Sequence, residues 1–470
     1  MQGLVRMVRI VLTGFRGTGK SRTGELLAHM LGIPFRDTDT EIERSAGMPI
    51  YEIFRRYGED YFRRLEADTV ASLPLEDSVV STGGGSILDP DNVAVLRAGS
   101  VVVLLTADDR TIEERIAHTE RPSLTKMPLR EEIHELQGIR RVRYVSSSDF
   151  CIDTTKRDAN ETAMAIRRII TEGTVSSAAK QEVGSFIRKT DIGHEEAERC
   201  VTDISSDRAD PYTRFYAVAG SPCRHSLSPQ LFNELFGQYK LNSRYLRFCW
   251  PDFEDIIRIA GKLDIRGLSV TLPFKVEACL HADVPDEHAT SIGAANTLVF
   301  CGGTSYGFNT DWMGIRGPLE HMKGSVAAVI GAGGAAAAAI YALQSLDIDV
   351  TVLNRTPEKG KKLAERFLCK SLPLSEFPSI KPDVLLNTTP VGMSSSSSGG
   401  IPINPVYLRK DMVVFDLVYT PAETPLIKAA RKTGCPVIPG TEMFARQAAA
   451  QFACFTGIEA PLALVRGLVI

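Results

Sequence analysis

Residues Gly14 to Ser21 read GFRGTGKS, a glycine-rich loop closing on a lysine and a hydroxyl side chain. Such glycines let backbone N–H groups turn inward around phosphate oxygens. Lys20 supplies positive charge for the β- and γ-phosphates of ATP, and the Ser21 hydroxyl can ligate Mg²⁺. Gly14, Gly17, Thr18, Gly19, Lys20 and Ser21 are therefore candidate ATP contacts, and the chemistry they point to is phosphoryl transfer. A second glycine turn, VIGAGGAA at residues 329–336, matches G-x-G-x-x-A through Gly331, Gly333 and Ala336. It suits a dinucleotide, whose pyrophosphate would lie against Gly331, Ala332, Gly333, Gly334 and Ala335 at a helix N-terminus. About 20 residues further on, an NAD site places a carboxylate on the ribose 2′-hydroxyl. This chain has Asn354-Arg355-Thr356 there, and an arginine suits a 2′-phosphate, so NADP(H) is expected.

Both turns need a strand before them and a helix after them. Residues 8–13 (VRIVLT) read as a buried strand, followed by the loop and a helix to about Leu31. Further apolar runs at 78–81, 101–105 and 150–153 alternate with helical stretches, as in a parallel α/β sheet. A helix over about Glu161 to Ile170 closes this unit. Residues 172–212 lose apolar periodicity and read as a linker; as a coil it would reach about 35 Å, so the flanking units need not touch. Strand–helix alternation restarts at Arg214, and a new strand–turn–helix unit begins near Gly324. The run Ser394–Gly400 reads as a loop tip.

The totals exclude several classes. A chain of 470 residues with 44% hydrophobic and 24% charged residues fits a soluble globular protein of about three domains. A net charge of −3 offers no polybasic field for nucleic acid or an anionic membrane. Arg6 and Arg9 interrupt the N-terminal apolar stretch, which therefore does not read as a secretory signal. The nine cysteines are scattered without C-x-x-C, which favours reduced thiols and a cytoplasmic location.

Around the first loop stand DTD at Asp37–Asp39, FRRLE at Phe62–Glu66, STGGG at Ser81–Gly85, RPSL at Arg121–Leu124, and Arg140 four residues before Tyr144. In this order the set resembles shikimate kinase. The resemblance implies that Asp37 joins Ser21 in organising Mg²⁺ and that Asp39 holds the attacking hydroxyl. It implies that Arg63, Arg140, Gly84 and Gly85 hold the substrate carboxylate and ring; a guanidinium fork matches a carboxylate in two places. Arg121 would close over the transferring phosphoryl group, with Arg115 towards the adenine. Ser123 departs from the family's usual R-P-L-L.

The second half carries GSPCRHSLSP at Gly220–Pro229, SVTLPFK at Ser269–Lys275, GAANT at Gly293–Thr297 and FNTD at Phe308–Asp311. NTTPVG at Asn387–Gly392, DLVYTP at Asp416–Pro421 and PGTEMFARQAAAQF at Pro439–Phe452 follow. This set resembles shikimate dehydrogenase. The resemblance makes Lys275 and Asp311 the catalytic pair, a proton donor and the carboxylate that orients it. Ser226 and Ser228, spaced i, i+2 as on one side of an extended segment, would grip the substrate carboxylate. Thr271, Asn296, Tyr419 and Gln447 would complete the substrate pocket, and Gly440 and Met443 would flank the nicotinamide. Ser269 stands where the family usually has Asn.

The expected architecture is α/β throughout: a P-loop kinase of the NMP-kinase-like type with a parallel sheet (1–171), the linker, then a two-lobed dehydrogenase. An α/β substrate lobe (213–323) receives the C-terminal helix (440–470), and a Rossmann NADP lobe spans 324–439. The expected reactions are NADPH-dependent reduction of 3-dehydroshikimate to shikimate and its phosphorylation with ATP·Mg²⁺. The partners are small molecules, with no nucleic acid or membrane, and the oligomeric state is open. A non-catalytic sensor of aromatic precursors would lack Lys20, Asp39, Lys275 or Asp311, and all are present. An NAD-dependent quinate/shikimate dehydrogenase is disfavoured by Arg355.

Overall fold

The computed structural model describes residues 9–117, 127–174, 210–221, 223, 226–394 and 400–469. Arg121 and most of the expected linker lie outside them.

The first sheet comprises β1 (Arg9–Thr13), β2 (Phe35–Asp37), β3 (Val79–Ser81), β4 (Ser100–Thr106) and β5 (Phe150–Asp153), in the order β2-β3-β1-β4-β5. All four pairings are parallel. β1 is buried along its whole length, which explains its unbroken apolar run. Its C-terminal end feeds the glycine loop and the Lys20–Leu31 helix. Gly14 sits at φ 141°, and a Cβ there would come within 2.2 Å of Leu105 O, so the loop packs against β4 only with glycine.

The second sheet holds β6 (Arg214–Gly220), β7 (Ser243–Cys249), β8 (Ile265–Val270), β9 (Val284–Pro285), β10 (Thr297–Cys301) and β11 (Thr304–Phe308), ordered β7-β6-β8-β10-β11-β9. The third holds β12 (Val326–Ile330), β13 (Asp349–Asn354), β14 (Lys370–Pro373), β15 (Val384–Asn387), β16 (Val413–Asp416) and β17 (Val437–Ile438). Its order, β14-β13-β12-β15-β16-β17, with parallel pairing throughout, is the Rossmann arrangement. The alanine run of the Gly334–Gln344 helix is buried in the core with Val329 and Val352, where small side chains let helix and sheet approach closely.

The chain forms two compact units. One comprises Met1–Leu268, Val299–Thr304 and Phe452–Glu459; the other comprises Ser269–Leu298, Ser305–Gln451 and Ala460–Ile470. The sequence left the two sides of the linker free to stand apart, but the first unit joins them. Tyr212 enters the same apolar cluster as Ile10, Val101, Phe150 and Ile152. The Arg214 guanidinium lies 4.4 Å from the Phe150 ring centroid. Gly173 also abuts Pro211: a Cβ on it would come within 2.7 Å of Pro211 O. Segment 174–210 therefore starts and ends at one place. The physical reason is that β5 is an edge strand, which gains by being covered.

The reading of the cysteines as reduced thiols needs correcting. Cys223 and Cys249 are disulfide-bonded, with Cα atoms 5.3 Å apart. The residues just past the end of β6 and at the end of β7 are neighbours because those strands pair in parallel, a proximity that the spacing of 26 residues hides.

Candidate active sites

The first site lies at the C-terminal ends of β1, β2 and β3. Lys20 Nζ donates to Gly14 O (2.8 Å) and Phe15 O (3.1 Å), which folds its ammonium back over the loop. Ser21 Oγ donates to Asp37 Oδ2 at 2.7 Å, so the two expected Mg²⁺ residues meet. The other Asp37 oxygen accepts from Asp39 N and Thr40 N, capping the Thr38–Ala46 helix. Among the described residues no cluster of three or more His, Cys, Asp or Glu could hold a metal ion. One hydroxyl and one carboxylate suit Mg²⁺, which keeps waters and substrate phosphates as its other ligands.

Asp39 faces the Gly83–Gly85 turn. A Cβ on Gly83 would lie 2.8 Å from Asp39 Oδ1 and 2.9 Å from Glu66 Oε1. Glu66 is buried, accepts from Ser86 Oγ at 2.5 Å and from Arg63 Nη1 at 2.7 Å, and so orients Arg63. Arg63 in turn lies against Gly85, where a Cβ would come within 2.4 Å of Nη1. Burial lowers the Arg63 pKa, but Glu66 and Glu59 outweigh it and hold the group above its ordinary value. Arg140 lies over the Phe15 ring at 5.9 Å. Asp39, Arg63, Gly84 and Gly85 thus meet at one turn, and Tyr144 links Arg140 to it. Its hydroxyl donates to Gly84 O at 2.5 Å, beside the Arg140 guanidinium. Burial pushes the Tyr144 pKa up to about 12 and keeps it a donor. In the sequence Tyr144 served only to mark spacing, although its i+4 relation to Arg140 places both on one helix face. Two further links were not visible in the sequence. Arg16 pairs with buried Glu132, and Arg115 reaches Gly17 O (3.3 Å) and Thr154 O (2.8 Å).

The second site centres on an ion pair. Lys275 Nζ stands 2.6 Å from Asp311 Oδ2, with side-chain exposures of 14% and 4%. The other Asp311 oxygen accepts from Asn296 Nδ2 at 2.9 Å. Asn296 Nδ2 also lies 3.4 Å from Gln447 Oε1, and Gln447 O accepts from Thr310 Oγ1 at 3.1 Å. Lys275, Asn296, Asp311 and Gln447 therefore form one network. Ser269, in place of the family's Asn, donates to Gln451 Oε1 at 3.0 Å; Gln451 Nε2 donates to Asn296 O at 2.9 Å. Thr271 is half-buried four residues before Lys275.

The dinucleotide turn lies beside this pair. A Cβ on Gly334 would stand 3.6 Å from Lys275 Cβ, whereas one on Gly333 would meet nothing within 4 Å, leaving room for a phosphate. Gly331, at φ 122°, packs so closely that a Cβ would come within 2.4 Å of Thr388 Oγ1. Arg355 is exposed at the tip of β13, and Asn354 Nδ2 closes the turn onto Thr356 O at 2.8 Å. Gly440 is pressed against Val418 O, where a Cβ would lie 2.3 Å away. Three residues on, Met443 is buried. Tyr419 stacks on Phe444 at 4.7 Å.

In the first unit, Ser226 Oγ donates to Ser228 Oγ at 3.1 Å, so the two hydroxyls do converge. The segment is not extended, however. Leu227 is αR and Ser228 begins the Ser228–Gln238 helix. Pro229 fits the first turn of a helix and decides the local geometry, which the two-residue spacing alone does not.

Fold and sites together define an α/β enzyme with two catalytic centres, a P-loop phosphotransferase and a Rossmann oxidoreductase. Residues 16–171 match the shikimate kinase family. Residues 218–298 match the shikimate dehydrogenase substrate-binding domain, 316–401 the shikimate/quinate 5-dehydrogenase family, and 440–470 the shikimate 5′-dehydrogenase C-terminal domain. The chain is 38% identical over 256 residues to the shikimate dehydrogenase (NADP(+)) of Maridesulfovibrio salexigens, covering 52% of this chain and 92% of that protein. The crystal structure of shikimate dehydrogenase from Aquifex aeolicus is similar at TM-score 0.51 and 35% identity, over 55% of this chain and 97% of that one. The Thermus thermophilus shikimate 5-dehydrogenase in complex with NADP(H) and shikimate is similar at TM-score 0.50 and 31% identity, over 55% and 98%. The chain belongs to the shikimate dehydrogenase family and carries a shikimate kinase domain in front of it.

Proposed function

We propose that this chain catalyses two consecutive reactions, reduction of 3-dehydroshikimate to shikimate and phosphorylation of shikimate at its 3-hydroxyl. The observation that carries the reading is the 2.6 Å Lys275–Asp311 pair beside the dinucleotide turn; Asp39 and Arg63 lie at the Gly83–Gly85 turn, where a Cβ on Gly84 would stand 3.4 Å from Gly14 O of the glycine loop. Bound NADPH supplies the hydride and bound ATP·Mg²⁺ the phosphoryl group. In the dehydrogenase, Lys275 as an ammonium donates a proton to the ketone oxygen, which becomes the hydroxyl, and solvent restores the lysine. Asp311 holds the ammonium in place, and Asn296 fixes Asp311. Ser226 and Ser228 grip the carboxylate, Thr271, Tyr419 and Gln447 line the pocket, and Met443 and Gly440 lie against the nicotinamide. In the kinase, Asp39 takes the proton of the attacking hydroxyl, Arg63 and Arg140 hold the carboxylate, and Lys20 and Arg121 offset the phosphoryl charge. Domain limits of 1–171, 213–323 and 324–439 belong to this proposal.

No described helix is long and apolar enough to cross a membrane. We assign both reactions to the cytoplasm, because every substrate is a water-soluble metabolite. Shikimate with ATP·Mg²⁺ should give ADP and shikimate 3-phosphate; shikimate with NADP⁺ should give NADPH and 3-dehydroshikimate. Failure of either reaction in folded protein would remove that half of the assignment.

Cofactor choice gives a separate expectation. kcat/KM should be at least roughly tenfold higher with NADPH than with NADH, the equivalent of about 1.4 kcal/mol from one guanidinium–phosphate contact. Arg355→Ala should remove most of that preference by raising the KM for NADPH while leaving NADH unaffected. Equal values for the two cofactors in the unaltered enzyme would contradict the role of Arg355.

A further inference from the structure

We propose that Arg266, a residue of the dehydrogenase half, is a positioning residue for the kinase site. The inference rests on reading Arg140 and the Gly84 turn as the place where shikimate is held. The Leu129–Ser147 helix carries both Arg140 and Tyr144, and Tyr144 fixes the turn through Gly84 O. A helix leaves its last four carbonyls without partners inside the helix, so its C-terminal end needs outside donors when it is buried. Val145 through Ser148 are all buried.

Much of the donation comes from the other half of the chain. Arg266 on β8 is 1% exposed. Its Nε donates to Ser148 O at 3.2 Å, and its Nη2 donates to Ser148 O at 3.0 Å and to Val145 O. Burial works to lower its pKa, but Cys301, Tyr216, Asp149 and Cys151 together hold it above the ordinary value, so it stays charged. A cation here also complements the negative end of the helix dipole. Gly457 closes the same helix end, lying so close that a Cβ on it would stand 3.1 Å from Ser147 Cα. The kinase half supplies its own clamp as well. Arg97 donates to Ser146 O at 3.1 Å and to Asp149 Oδ1 at 2.6 Å. Losing Arg266 therefore leaves a folded helix whose last turn is free to shift. Tyr144 is the residue before Val145, so that shift reaches the Gly84 turn and Arg140.

The test is steady-state kinase kinetics on the full chain, with Arg266→Met, Arg266→Lys and Arg140→Ala in parallel. Arg266→Met should raise the KM for shikimate roughly tenfold, since buried Ser148 O loses the Arg266 donor and Val145 O keeps only the weaker bonds from Ser148 N and Oγ. The KM for ATP and the kcat at saturating shikimate should change less than about twofold, because the P-loop keeps its own contacts. Arg266→Lys keeps the charge but not the planar fork, so it should raise the same KM by a smaller factor, roughly threefold. Should Arg266→Met fail to fold, the roughly threefold rise in Arg266→Lys becomes the test, and no rise overturns the proposal. A uniform fall in kcat with both KM values unchanged overturns it too, because that marks loss of folded enzyme alone. If Arg140→Ala raises the KM for shikimate and neither Arg266 variant does, the positioning role is wrong and the site stands. If Arg140→Ala also leaves that KM unchanged, the reading of the site itself is wrong.

Discussion

Lys275→Ala should abolish NADPH-dependent reduction while leaving shikimate phosphorylation within about twofold of normal. The size of the loss follows from the geometry. Asp311 holds the ammonium at 2.6 Å, and among the described residues no other lysine or arginine forms an ion pair with Asp311. A positioned general acid contributes about 10²–10⁴-fold, so kcat should fall by about three orders of magnitude. Removing one partner of a buried pair also costs stability, because Asp311 loses its ion-pair partner in a site where its side chain is 4% exposed. Asn296 still donates to it at 2.9 Å, which limits that cost. NADPH binding, followed by quenching of protein fluorescence, separates the two effects. A folded variant that binds NADPH and turns over about a thousandfold more slowly supports the role. A variant that reduces substrate at the normal rate refutes it.

Asp39→Asn should have the converse effect. The kinase kcat should fall about 10²–10⁴-fold, because the amide cannot take the proton of the attacking hydroxyl. The side chain keeps its shape beside Gly83, so the KM for shikimate should change by no more than a few-fold. Reduction of 3-dehydroshikimate should be untouched. Coupled ADP release measures the first and NADPH absorbance the second. An equimolar mixture of Asp39→Asn and Lys275→Ala chains should then make shikimate 3-phosphate from 3-dehydroshikimate, because shikimate diffuses from one chain to the other. Loss of both activities in either folded single variant would contradict two independent sites.

The parts legible in the sequence were those in which a local pattern carries the geometry. The loop Gly14–Ser21 and the turn Gly331–Gly334 fall between strand and helix, and Gly14 and Gly331 there leave no room for a Cβ. The apolar runs at 78–81 and 150–153 mark two strands to within a residue. Lys275 and Asp311 lie 36 positions apart, and a resemblance rather than spacing brought them together. What stayed hidden depends on contacts between residues of ordinary type far apart in the chain. Tyr144 looks like any buried aromatic until its hydroxyl is seen on Gly84 O. Arg266 looks like any charged residue next to a glycine, and only the packing of β8 against the Leu129–Ser147 helix end reveals its partners. Cys223 and Cys249 become neighbours only once β6 and β7 pair. The Ser226–Ser228 segment shows the opposite failure. A spacing of two fits a strand, and one proline overrides it.

The most direct measurement supplies the purified chain with 3-dehydroshikimate, NADPH and ATP·Mg²⁺ and no other enzyme. NADPH oxidised, ADP released and shikimate 3-phosphate formed should rise together and reach equal amounts. Oxidation of NADPH with shikimate accumulating and no ADP released, or no oxidation of NADPH at all, would contradict the claim that one chain carries both steps.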